Sequence, residues 1–157
     1  MIQLVPIVLA QVALIAGGPV TVQCRATVPQ SGLESYGAEY SAAAYADLTA
    51  HTIVIENSDC RNVNSFARKP TLSADIEVWS GGDASRSWSM QILLHETQHF
   101  AHPDYSEAQV NCASLALLPR FARTLGANVK TSRLAKRYAR MWIHDEEPPQ
   151  YQSTCTA

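Results

Sequence analysis

No two cysteines of this chain form a CxxC pair, no charged residue occurs from Ile2 to Gly18, and no acidic residue stands between Glu107 and Asp145. The first absence argues against a four-cysteine zinc site, which normally needs close pairs. The scattered, even set Cys24, Cys60, Cys112 and Cys155 reads instead as two disulfides, and so as a protein of an oxidising, extracytoplasmic compartment. Four cysteines allow three pairings, and their spacing does not choose among them.

The second absence leaves an apolar start of the length of a secretory h-region, followed by small residues. An export signal or membrane anchor is expected over residues 1–18, the anchor giving membrane association through the N-terminus. Lys and Arg are missing before this stretch, and Gln3, Pro6 and Gln11 interrupt it. It is also shorter than the roughly 20 apolar residues that span a bilayer. A buried helix or strand of the mature domain is therefore the alternative. Thr21-Val22-Gln23 supplies no small residues before Cys24, which argues against lipidation there.

The third absence leaves Arg120, Arg123, Lys130, Arg133, Lys136, Arg137 and Arg140 without an acidic neighbour in sequence. A solvated basic face on C-terminal helices is the simpler reading, and a surface that reads phosphate or lipid is the other. Over the whole chain the formal charge is −2, which predicts no general affinity for nucleic acid. The 157 residues, 46% of them hydrophobic, suffice for one core, placed in a single domain over residues 19–157. No internal repeat or low-complexity tract is present.

Local patterns predict a helix-rich α+β domain with little strand. The polar run from Gln30 to Gly37 reads as a loop, and Ala-rich Glu39–Leu48 as a short helix. His51–Glu56 is β-branched and predicts a strand. Asn57-Ser58-Asp59 caps a short helix through Cys60 towards Phe66, stopped at Lys69-Pro70. Ser80–Asp83 reads as a loop. The clearest helix follows, from about Ser87 to Ala101, capped by Ser85 or Ser87, with Met90, Leu93, Leu94 and Thr97 as its core stripe. Pro103 stops it. A second helix begins near Asp104, with Val110, Ser114, Leu117 and Phe121 on one face; Pro119 is placed to bend it and Gly126 to close it. A third spans about Thr131–His144, with Leu134, Tyr138 and Met141 or Trp142 facing inward, before a tail opened by Pro148-Pro149.

The chemistry concentrates in the run His95-Glu96-Thr97-Gln98-His99. Helical residues four apart sit about 5–6 Å apart at their side-chain bases, so His95 and His99 can aim two imidazoles at one ion. Two nitrogens suit Zn²⁺. Glu96, one residue round the helix, takes the place of the general base that accepts a proton from a water made acidic by the metal. The motif also follows Ile92-Leu93-Leu94, an apolar setting that such sites require.

A third ligand is expected beyond the helix break. Glu107 is preferred, because Pro103 forces a turn from which the next helix can return a carboxylate to the ion. Asp104–Glu107 also reads as a capping pattern in which Glu107 bonds the Asp104 amide. His102, seven residues after His95, is a competing ligand. The longer pattern HExxHxxGxxH fails, since His102 and Tyr105 replace its Gly and last His.

The segment Leu94–His99 followed by Ser106-Glu107-Ala108-Gln109-Val110-Asn111-Cys112 resembles a group of uncharacterised actinobacterial proteins, zinc metallopeptidase-like, with HExxH, a short spacer and E-A-x-x-x-C. Fainter similarity covers Cys24, the strand before Cys60 and the tail to Cys155. The resemblance implies a minimal zincin-like domain with a gluzincin-like site: His95, His99 and Glu107 as ligands of one zinc ion, Glu96 as base, and all four cysteines in the fold. Phe100-Ala101-His102-Pro103 departs from the aliphatic residue and Gly that usually follow the second His.

The function expected is a zinc-dependent metallopeptidase acting on a peptide or protein substrate. Tyr105, Tyr138, His102 and His144 are equal candidates for a second oxyanion donor. The alternative is a catalytically inactive, zinc-stabilised extracellular binding domain. A membrane-anchored scaffold with an incidental HExxH is a third reading. Oligomeric state and substrate identity leave no signature in the sequence.

Overall fold

The computed structural model describes residues 2–28, 44–73, 82–145 and 155, with side chains omitted at 144 and 145. Among these described residues, five helices and three strands follow in the order α1 (Pro6–Ala16), β1 (Thr21–Arg25), β2 (Ala44–Asp47), β3 (Thr52–Glu56), α2 (Asn57–Arg68), α3 (Gly82–Ala101), α4 (Glu107–Thr124) and α5 (Val129–Asp145). The domain is a helix-rich α+β fold, as the sequence predicts. The expected loop at Gln30–Gly37, the start of the Ala-rich segment, Ser80-Gly81 and the tail around Pro148-Pro149 lie outside the described residues.

β3 is the centre of the sheet, in strand order β1-β3-β2. Ile53, Val54 and Ile55 are all buried, so this strand needs cover on both faces and partners on both edges. β1 pairs with it in parallel, Val22 opposite Ile53, and β2 in antiparallel fashion, Ala46 opposite Ile53. Ala44–Asp47 is therefore a strand, not the end of a helix. Backbone pairing with β3 outweighs the helical preference of alanine, which is worth well under about 1 kcal/mol per residue. The turn between them is closed by Asp47, whose Oδ1 accepts the Ala50 N–H at 2.9 Å, with His51 at φ 49°.

α3 is the spine, packed against α1, α2, α4, α5 and β2. Its expected stripe of Met90, Leu93, Leu94 and Thr97 is buried. The helix begins at Gly82, earlier than its sequence pattern suggests. Asp83 in its first turn pairs with Arg86 and accepts the Ser73 N–H at 2.5 Å. Ser87 does not cap it; its hydroxyl donates to the Asp83 carbonyl inside the helix. α4 continues through Pro119 and ends before Gly126, whose φ of 99° suits a glycine after a helix. The inward face of α5 is Ala135, Tyr138, Ala139 and Ile143, so Tyr138 faces as expected while Leu134, Met141 and Trp142 are only half-buried.

The first residues belong to the same core. Leu4, Val8 and Val12 are buried with Phe66, Met90 and Leu93. Asn64 on α2 donates to the Gln3 carbonyl at 2.7 Å and accepts the Val5 N–H at 2.9 Å. Two disulfides are present, Cys24–Cys60 joining β1 to α2 and Cys112–Cys155 joining α4 to the C-terminal segment. Among the described residues no helix is long and apolar enough to cross a membrane.

Candidate metal centre

The site forms where the last two turns of α3 meet the first turn of α4. Helical spacing brings the rings of His95 and His99 to centroids 5.0 Å apart, with Nε2 atoms separated by 3.2 Å. α3 ends at Ala101 and, after five intervening residues, α4 starts at Glu107. The start is fixed by a capping box at Ser106, two residues after the Asp104 cap that the sequence suggests. Ser106 Oγ accepts the Gln109 N–H, and Gln109 Oε1 accepts the Ser106 N–H at 2.8 Å. With that cap made by Ser106 and Gln109, Glu107 has no capping duty towards Asp104. Its Oε2 lies 2.9 Å from His95 Nε2 and 3.5 Å from His99 Nε2.

These three side chains form a group that can hold a metal ion, their donor atoms all within 4.8 Å of one another. The separations of 2.9, 3.2 and 3.5 Å match the edge of a tetrahedron with bonds of about 2.0–2.1 Å, which is about 3.3 Å. Among the described residues no fourth His, Cys, Asp or Glu joins the group. His102 is not a member. It stacks on Tyr105, ring centroids 4.3 Å apart, and its backbone N–H continues the α3 ladder to Gln98.

Asn111 completes the positioning of His95. Its Oδ1 lies 2.7 Å from His95 Nδ1 and accepts the proton held there, which fixes the ring with Nε2 turned to Glu107 and His99. Asn111 stands one turn after Glu107, on the same face of α4. That spacing is visible in the sequence, but nothing local marks this asparagine among other polar residues. The network runs on through Ser114, whose hydroxyl donates to the Asn111 carbonyl and accepts Gln91 Nε2.

Charge in the site favours a cation. Burial opposes a proton on His95, yet its hydrogen bond to Glu107 and the nearby Glu96 and Glu107 carboxylates outweigh burial and raise its pKa. Burial pushes Glu107 up, but the hydrogen bonds from both histidines dominate and bring it down to about 2. Glu96 is almost wholly buried, and that burial raises its pKa against the pull of His95 and His99. The Ala46 backbone on β2, beside the carboxylate, also opposes that rise. This neighbour is invisible in the sequence, since Ala46 contributes only its backbone.

No family model matches the chain. No curated protein and no solved structure matches it either. Function is therefore read from the site's own chemistry. Of the expected oxyanion donors, Tyr138 is removed, because its hydroxyl donates to the Ser73 carbonyl at 2.8 Å. Tyr105 is exposed beside His102, and the side chain of His144 lies outside the described residues.

Proposed function

We propose that the protein is a zinc-dependent hydrolase of the metallopeptidase type, exported from the cytoplasm and acting on peptide or protein substrates. The observation that carries this reading is the convergence of His95, His99 and Glu107 with a buried Glu96 one residue along the same helix. Two imidazoles and one carboxylate form a donor set that suits zinc, and three protein ligands leave a coordination position open, as catalytic sites do. A zinc ion held by His95, His99 and Glu107 would supply a Lewis acid able to polarise a carbonyl and to lower the pKa of water to about 7. Glu96 accepts the proton from the attacking water and returns it to the leaving amine. Its raised pKa suits both halves of that exchange. Asn111 keeps the His95 ring aimed at the site. Export accords with the two disulfides, which need an oxidising environment.

The burial of Glu96 favours a second reading, a zinc-stabilised binding domain without turnover, since a general base must meet water. One set of measurements decides between them. The purified chain is expected to carry one zinc by metal analysis, Glu107→Ala to lose it, and Asn111→Ala to bind it about 10- to 100-fold more weakly. Cleavage of a peptide library should be abolished by chelation and by Glu96→Gln, with zinc retained in that variant. Native protein without zinc would refute the metal site, and full cleavage by Glu96→Gln would refute the proposed base. Stoichiometric zinc with no cleavage of any library peptide selects the binding domain.

A further inference from the structure

Far from the metal centre, α4 and α5 enclose an open groove of about 620 Å³. Arg120 and Arg123 enter it from α4, and Arg133 from α5, with Thr124, Val129 and Ser132 between them. Arg120 lies 13 residues beyond Glu107 on α4, about 20 Å along the helix axis at about 1.5 Å per residue. The volume is that of a small-molecule site, not of a single ion.

We propose that this groove binds a phosphorylated ligand, a phosphate ester whose charged group is gripped by Arg120, Arg123 and Arg133. All three arginines are exposed, and among the described residues none of them is in an ion pair. The groove's own hydroxyls face inward as donors: Thr124 Oγ1 donates to the Phe121 carbonyl and Ser132 Oγ to the Val129 carbonyl. The donors left for a ligand are thus the guanidinium groups, whose planar forks match phosphate oxygens. A carboxylate occupies one fork; a tetrahedral phosphoryl group, with one or two charges and two or three free oxygens, engages two or three. The start of α5 adds to the field, since no acidic residue lies in its first turn. Like charges three or four apart also repel along these helices, at Arg120/Arg123, Arg133/Lys136 and Arg133/Arg137. A bound anion relieves that repulsion, in a chain whose overall charge is negative.

A phosphate ester free in solution and the headgroup of an anionic phospholipid offer the same chemistry. The test titrates the full chain with pyrophosphate and glycerol 3-phosphate by calorimetry. It is also sedimented with phosphatidylcholine vesicles, with and without phosphatidylglycerol. Two variants lose three charges each: R120Q/R123Q/R133Q within the groove, and K130Q/R137Q/R140Q outside it. Saturable binding is expected, weakened at least tenfold by the groove variant and less than threefold by the other, with both variants melting like the native chain. Binding of either soluble phosphate compound assigns a solution ligand, and binding of phosphatidylglycerol vesicles alone assigns a lipid headgroup. No binding to any probe, or an equal loss in both variants, overturns the proposal.

Discussion

Asp59 shows how one side chain ties stability to pH. It sits in the first turn of α2, buried against α3, where its Oδ1 accepts the Ser89 hydroxyl at 2.7 Å. Burial raises its pKa from 3.8 to about 6, with Glu56 adding to the rise and the Ser89 bond opposing it. The folded state therefore holds a proton that the unfolded chain has already released between those values. Stability falls as pH rises from about 4 to about 6, and the full penalty, about 3 kcal/mol, is present above that. Asp59→Asn keeps an oxygen for Ser89 and removes the charge. It should raise the melting temperature at pH 7 by several degrees, at about 2–4 °C per kcal/mol, and leave it unchanged at pH 4. Thermal unfolding across pH 4–7 checks this; a gain equal at every pH would contradict it. At the site, His95, Glu96 and His99 are recognisable because helical spacing alone aligns them. Glu107 was ambiguous in sequence between capping and coordination, and the cap formed by Ser106 and Gln109 resolves it. Asn111 carries no local signal, because its role depends on what the fold brings beside it.

Among the elements, α1 invites a direct experiment. Its 11 residues span only about 17 Å at about 1.5 Å each, and Val8 and Val12 are wholly buried in the core. Burying Leu4, Val8 and Val12 is worth about 1.5–3 kcal/mol each. A chain comprising residues 19–157 also leaves Asn64 without its bonds to Gln3 and Val5. That chain is expected to melt well below the full-length protein or to fail to fold. Circular dichroism melts of the two suffice, and equal stability would show that α1 is not part of the folding unit. α3 was legible because its apolar residues recur with helical period. Where β2 forms, the sequence predicts a helix, since an Ala-rich stretch carries helical preference and its strand partner β3 is not written in its own residues.

At the scale of the molecule, the two disulfides tie elements that lie far apart in the chain. The cysteines are separated by 36 and 43 residues. Loops of that length give each bond about 4 kcal/mol of denatured-state restriction by the chain-entropy account. Denaturation of Cys24→Ser/Cys60→Ser and of Cys112→Ser/Cys155→Ser is expected to show losses of about 2–5 kcal/mol each. Unchanged midpoints in either variant would mean that its bond does not form in the purified protein. Four scattered cysteines announced two bonds, but their pairing needed the register that sets Cys24 of β1 beside the start of α2. The same division runs through the whole protein. Helices, the paired histidines and their carboxylate neighbour follow from spacing along the chain, because those geometries repeat within one or two turns. The sheet order, the disulfide pairing and the meeting of Glu107, Asn111 and β2 around α3 arise only on folding, because each joins residues whose proximity is created by core packing.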